Sequence, residues 1–201
     1  MKNIIVILFL SLIQCQLYGQ NVLSIEDWHT DLNYLVEKLK ERHANLFHTY
    51  NEETFSQDIN ELKDLAGSIS EKELVIRISE LIANVGDAHT FLDIRNQKNW
   101  KYKRLPLDLN YFEDGLFVVG ANKNYKHLIG NEIVSINNHP IDTVISKVKK
   151  VGYNENSFTQ LISVSRFIVY PDVLKRFGFI NSVNSVTIEF QNNRKITKSD
   201  I

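Results

Sequence analysis

Cysteine is nearly absent from the 201-residue sequence, Cys15 being the single one. A chain cut near residue 20 would hold none, which excludes a disulfide framework and a cysteine nucleophile. Three prolines, eight glycines and no low-complexity tract exclude a collagen-like or mainly disordered chain. Neither sign of charge dominates: 23 basic side chains face 24 acidic ones, for a net charge of -1. That balance supplies no broad basic field, so neither nucleic acid nor an anionic membrane surface is an expected partner. What the sequence does hold is 43% hydrophobic residues, with 11 Phe, 8 Tyr and 2 Trp, enough for the core of one average domain or two small ones.

Lys2 precedes an apolar run at residues 4–13, too short to span a bilayer, and Gly19 lies a few residues beyond it. This is the pattern of a secretory signal peptide over residues 1–20, with export to the periplasm or the exterior and no transmembrane segment once it is removed. Cys15 raises the alternative of a lipoprotein, although Gln14 stands where lipid processing favours a small residue.

Beyond residue 20 the spacing of apolar residues predicts three helices in residues 21–89. Ser24 and Asp27 resemble a capping box before Trp28, Leu32, Leu35, Val36 and Leu39, with the helix ending near His43. Asn51 is a good N-cap for Phe55, Ile59, Leu62 and Leu65, which Gly67 stops. Ser70 and Glu73 form the clearer box, ahead of Leu74, Ile78, Leu81, Ile82 and Val85, and Gly86 terminates that helix. Short loops between amphipathic helices imply a small bundle.

After Gly86 the period becomes alternating. Residues 90–94 are expected as a short strand, and Leu105, Leu107, Leu109 and Tyr111 as the first arm of a hairpin that turns at Glu113, Asp114 and Gly115. Residues 116–119 return as its second arm, 132–136 as a further strand, and 141–151 as a helix, closing a mixed unit over 90–152. Residues 157–169 read as a helix and 183–190 as a strand, with Asn192 and Asn193 turning into a last strand that has little to pair against. The expected class is α+β, a three-helix bundle followed by a small mixed α/β unit.

Among the polar residues, His89 is the sharpest candidate. A serine hydroxyl is a weak nucleophile near neutral pH, and a neutral imidazole within hydrogen-bond reach can remove its proton. A base just past a helix end would face a neighbouring domain; the competing role is a histidine satisfying backbone groups there. The other histidines include no His-x-x-x-His pair, so a metal site would need ligands from distant segments, and no cofactor is expected. Ser146 and Lys149 form a Ser-x-x-Lys, but on a helix with an ordinary polar back and without companion motifs. Trp28, Phe47, Phe55 and Trp100 could line a groove, although aromatics at such spacing more often fill a core. The strand of Leu116, Phe117, Val118 and Val119 would bind an extended peptide if its edge were open.

The run Asn84-Val85-Gly86-Asp87-Ala88-His89-Thr90, with Trp28, the turn at His43-Ala44-Asn45-Leu46-Phe47 and the Ser70-capped helix, resembles the N-terminal helical region of the S41 peptidases. That family includes the tail-specific or C-terminal processing proteases and the tricorn core. Asp114-Gly115-Leu116-Phe117-Val118, then Gly130-Asn131-Glu132-Ile133-Val134-Ser135-Ile136-Asn137-Asn138 and Pro140-Ile141, resemble the family's PDZ-like segment. The resemblance covers nearly all of residues 24–195. It implies a peptide or protein substrate and a nucleophilic serine in a further α/β domain, which would begin where this chain stops, residues 153–201 leading into it. No Gly-x-Ser-x-Gly elbow occurs in the sequence. The tricorn-like branch implies a catalytic histidine at His89, with Ala88 where that branch has a serine; the processing-protease branch implies a lysine base instead. Two functions stay open: the N-terminal, non-catalytic portion of an exported S41-type serine peptidase, and a free-standing PDZ-like peptide-binding module.

Overall fold

A computed structural model of the protein describes residues 23–97 and 100–201. The signal-peptide reading of residues 1–20, with Cys15, lies outside the described residues. The fold is mixed α+β, with helices first and an antiparallel sheet after them.

Helix α1 spans Ile25–Arg42, α2 Glu52–Leu65 and α3 Glu71–Ala83. Their N-termini are closed by side chains, as the sequence implies, but the full capping box belongs to α1. There Ser24 accepts from the Asp27 N–H and Asp27 accepts from the Ser24 N–H. At α3 only half of the box forms: Ser70 accepts from the Glu73 N–H, while the Glu73 carboxylate turns along the helix to Arg77, 2.8 Å away. A nearby guanidinium is the stronger partner for a carboxylate. In α2 the Phe55 ring is fully buried and meets Phe47 and Tyr50 edge-on, at 5.7 and 5.5 Å between ring centres. Helix α3 is the central element. It buries Val75 and Ile76 besides the stripe of Leu74, Ile78, Leu81 and Ile82, because it has α2 on one side and later elements on another.

The sheet runs in the order β1 (Leu107–Phe112), β2 (Gly115–Ala121), β3 (Glu132–Ile136), β5 (Thr187–Asn192), β6 (Lys195–Asp200), with the two-residue β4 (His139–Pro140) folded back on β3. Every pairing is antiparallel. Asn137 and Asn138, with φ of 48° and 64°, and Asn193 and Arg194, with 47° and 70°, turn two hairpins in the doubly left-handed conformation that matches strand twist. Helix α4 (Ile141–Val148) buries Val144 and Val148, α5 (Ser157–Phe167) lies against β1, and α6 (Pro171–Arg176) packs on α3. One hydrophobic core runs from Trp28 through Phe167 to Phe190 and joins the helices to the sheet.

Two expectations are corrected, at residues 90–94 and at the last strand, and one further helix is present. Residues 90–94 form no strand: Asp87 and Asp93 accept backbone N–H groups two residues on, which bends the chain into a turn and a short 3-10 segment, Ile94–Asn96. A separate helix, α6, begins at Pro171, whose fixed φ suits a first helical position. The last strand is paired along its length on one side, β6 running as the edge strand beside β5 from Thr187 opposite Asp200 to Asn192 opposite Lys195.

Candidate functional site

Helix α3 ends on Asn84, and Gly86 takes φ +77°, a left-handed conformation that suits glycine. Thr49, on the turn after α1, donates its hydroxyl to the Val85 carbonyl at 2.7 Å, which ties that turn to the end of α3. The next residue is Asp87, and its carboxylate organises the turn through Thr90. Oδ1 accepts the His89 backbone N–H at 2.8 Å, and Oδ2 accepts the Thr90 hydroxyl at 2.9 Å. His43 Nε2 approaches Oδ2 to 3.3 Å from across the chain, and His89 Nδ1 lies 3.5 Å from Oδ1. The side chains grade from interior to solvent: His43 is 11% exposed, Asp87 30% and His89 95%.

The His89 N–H first, then the Thr90 hydroxyl and His43, hold the Asp87 carboxyl below its ordinary range. It therefore stays ionised across the neutral range, a fixed negative charge beside the His89 ring. Such a charge favours the proton on Nδ1 and leaves the outer nitrogen, Nε2, with a free lone pair. A neutral imidazole presented in this way can accept a proton from a group that approaches from solvent.

His89 thus stands at a helix end with Asp87 beside it. Sequence reasoning misses His43 as a partner of this site, because nothing in local spacing links position 43 to position 87; its place in the His43 to Phe47 turn is the one signal that marks it. Leu116, Phe117, Val118 and Val119 sit on β2, and the expected open edge is corrected. Residues 116–118 pair with β1 on one side, and on the other Val118 donates to Asn131 and accepts from Gly130, at 3.0 and 2.8 Å. Leu116 and Val118 are buried. Val119 is skipped at a register shift against β1 and is exposed.

The remaining candidates separate. Ser146 donates to the Thr143 carbonyl at 2.7 Å, the ordinary back-bond of a helical serine. Trp28 and Trp100 stack at 5.6 Å over a small apolar cavity of about 180 Å³ with Leu35 and Ile78, whereas Phe47 and Phe55 belong to the core region around α2. His139 lies edge-on to Phe179, and His29 meets the Lys63 carbonyl. Among the described residues no three His, Cys, Asp or Glu side chains gather as a metal-binding group, and no helix is long and apolar enough to cross a membrane.

No protein-family model and no curated protein matches the sequence. Solved structures do match. A crystal structure of a point mutant of CPAF, a chlamydial serine protease similar to the tail-specific proteases, superposes with a TM-score of 0.59 over 88% of this chain at 13% identity. Mature CPAF gives 0.55 over 88% at 14% identity. At such identities the likeness is one of fold, and the chain spans about a third of those proteins, 33% and 34% of their lengths.

Proposed function

We propose that this chain is the N-terminal portion of an exported serine peptidase of the S41 type and supplies its general base, His89. One observation carries the proposal: a solvent-exposed imidazole whose Nδ1 lies 3.5 Å from an ionised aspartate, on the turn that follows the Thr49–Val85 hydrogen bond. The fold likeness to a serine protease supports a peptide bond as the substrate. In this reading the nucleophilic serine comes from a further α/β domain, and β1 to β5 with α4 and α5 act as a PDZ-like unit beside it.

The geometry supports a two-stage reaction. Nε2 of His89 takes the serine hydroxyl proton as the oxygen attacks the peptide carbonyl, and Asp87 stabilises the imidazolium formed. The imidazolium gives that proton to the departing amine nitrogen, leaving an acyl-enzyme. Water then repeats the cycle, losing its proton to Nε2 and releasing the acid. Lys2, the apolar run and Gly19 support export, and mass spectrometry of the mature protein checks it: an N-terminus near Gln20 is expected, and an intact Met1 contradicts it.

The chain of 201 residues is expected to hydrolyse no peptide bond by itself and to resist serine-directed probes. Joined to a serine-bearing α/β domain, it is expected to hydrolyse peptides and to be labelled by such probes on that domain's serine. Stoichiometric probe labelling of any serine in this chain alone, Ser146 included, would contradict the proposal.

A further inference from the structure

We infer that His43 is a positioning residue for this site: acting through Asp87, it fixes the turn that carries His89. The inference rests on the reading of His89 as the base.

The tautomer of His43 is set by its neighbours. The Asn45 backbone N–H points at His43 Nδ1 from 3.2 Å, so Nδ1 carries a lone pair and the neutral ring holds its proton on Nε2. His43 Nε2 lies 3.3 Å from Asp87 Oδ2, at ion-pair distance but without hydrogen-bond geometry, and this buried nitrogen has no hydrogen-bond partner among the described residues. His43 is itself anchored. Its backbone N–H closes α1 on the Leu39 carbonyl at 3.0 Å, and its ring stacks on His48, 6.1 Å between centres and 10° from parallel.

The consequence lies at Asp87. Its two oxygens accept two hydrogen bonds, from the His89 N–H and the Thr90 hydroxyl, and His43 Nε2 stands 3.3 Å from Oδ2. The first two belong to the turn itself and would move with it. Among the described residues, His43 alone approaches the carboxylate from another part of the molecule, the end of α1. The His89 ring, almost wholly in solvent, has no packing to set its direction, so orientation falls to Asp87 and, through it, to His43.

The test compares the protein with its His43→Leu and His43→Gln variants. The leucine keeps bulk and loses the donor; the glutamine places an amide N–H near the former Nε2. Histidine-ring nitrogen–proton correlation spectra read the tautomers, and hydrogen exchange reads the His89 amide. In the unchanged protein His43 is expected with its proton on Nε2, and His89 with its proton mainly on Nδ1. His43→Leu should abolish the His89 preference and speed exchange of its amide roughly fivefold or more, the loss expected for one hydrogen bond. His43→Gln should restore both. A His43 proton on Nδ1, or a folded leucine variant whose His89 ring and amide are unchanged, overturns the inference. If the leucine variant fails to fold, Asp87→Asn decides: the His89 preference should vanish while the His43 tautomer stays, and an unchanged His89 ring overturns the inference. None of these readouts needs turnover, so failure of the base reading, seen as full activity after His89→Ala, is distinct from failure of the positioning role.

Discussion

A Cβ built on Gly86 would lie 2.7 Å from the Thr49 hydroxyl oxygen, closer than carbon and oxygen can approach without displacement. Gly86 is therefore required twice, once by its left-handed φ and once by Thr49. Gly86→Ala should lower stability in urea unfolding by about 1–3 kcal/mol, the cost of a strained backbone plus the clash. Measured in a Thr49→Ala background, which has already lost the hydroxyl and its bond to Val85, Gly86→Ala should cost only the backbone part. Full stability in Gly86→Ala would mean that the two turns are not locked as described.

Acid should release the turn. The Asp87 carboxyl is held low in the folded chain, so its contribution is present above the ordinary carboxylate range and is lost as pH falls through its depressed value. Asp87→Asn is expected to be less stable than the parent at neutral pH. The gap should close in strong acid, where both carry a neutral side chain. A gap independent of pH would deny Asp87 its ion-pairing role.

Glu80 and Arg176 behave oppositely. Their side chains pair at 2.9 Å between α3 and α6, mostly buried, and burial pushes the Glu80 carboxyl up against the pull of Arg176 and Arg77. A raised value means that the folded state takes a proton more readily than the unfolded one, so ionised Glu80 costs stability as pH rises. Arg176→Met leaves that carboxylate with less compensation and should cost about 1–3 kcal/mol at neutral pH. The deficit should shrink on acidification, which pH-dependent denaturation would read.

The Val118 amide provides a check on the sheet. Donating to Asn131 inside a three-strand stretch, it is expected among the slowly exchanging amides, unaffected by added extended peptides. Fast exchange, or a peptide-induced shift confined to residues 116–118, would reinstate an open edge on β2.

The helices are legible in sequence because caps and apolar stripes are local. Ser24, Asn51 and Ser70 stand where expected, whereas α3 closes on Asn84, two residues before Gly86. The structure departs from the local pattern where a side chain outcompetes it. Glu73 leaves its box for Arg77, and the Asp87 and Asp93 carboxylates bend a segment whose alternation resembles a strand. The edge of β2 is not legible, because strand order is a tertiary property: only the return of the chain through residues 130–132 covers it. At the site, the Gly-Asp-x-His-Thr run marks His89, but the contact that anchors Asp87 joins residues on two helix ends far apart in sequence. His43 offers no spacing signal of its own.

The central claim is that His89 acts as a base. It is tested most directly by one variant, His89→Ala, in a polypeptide that joins this chain to a serine-bearing α/β domain, with peptide turnover and urea midpoint measured on the same preparation. Turnover is expected to fall by about 10²-fold to 10⁴-fold, the share credited to a positioned base, with the midpoint unchanged because the ring is exposed. Preserved turnover per folded molecule, with a lowered midpoint, would contradict the claim and leave His89 a structural residue.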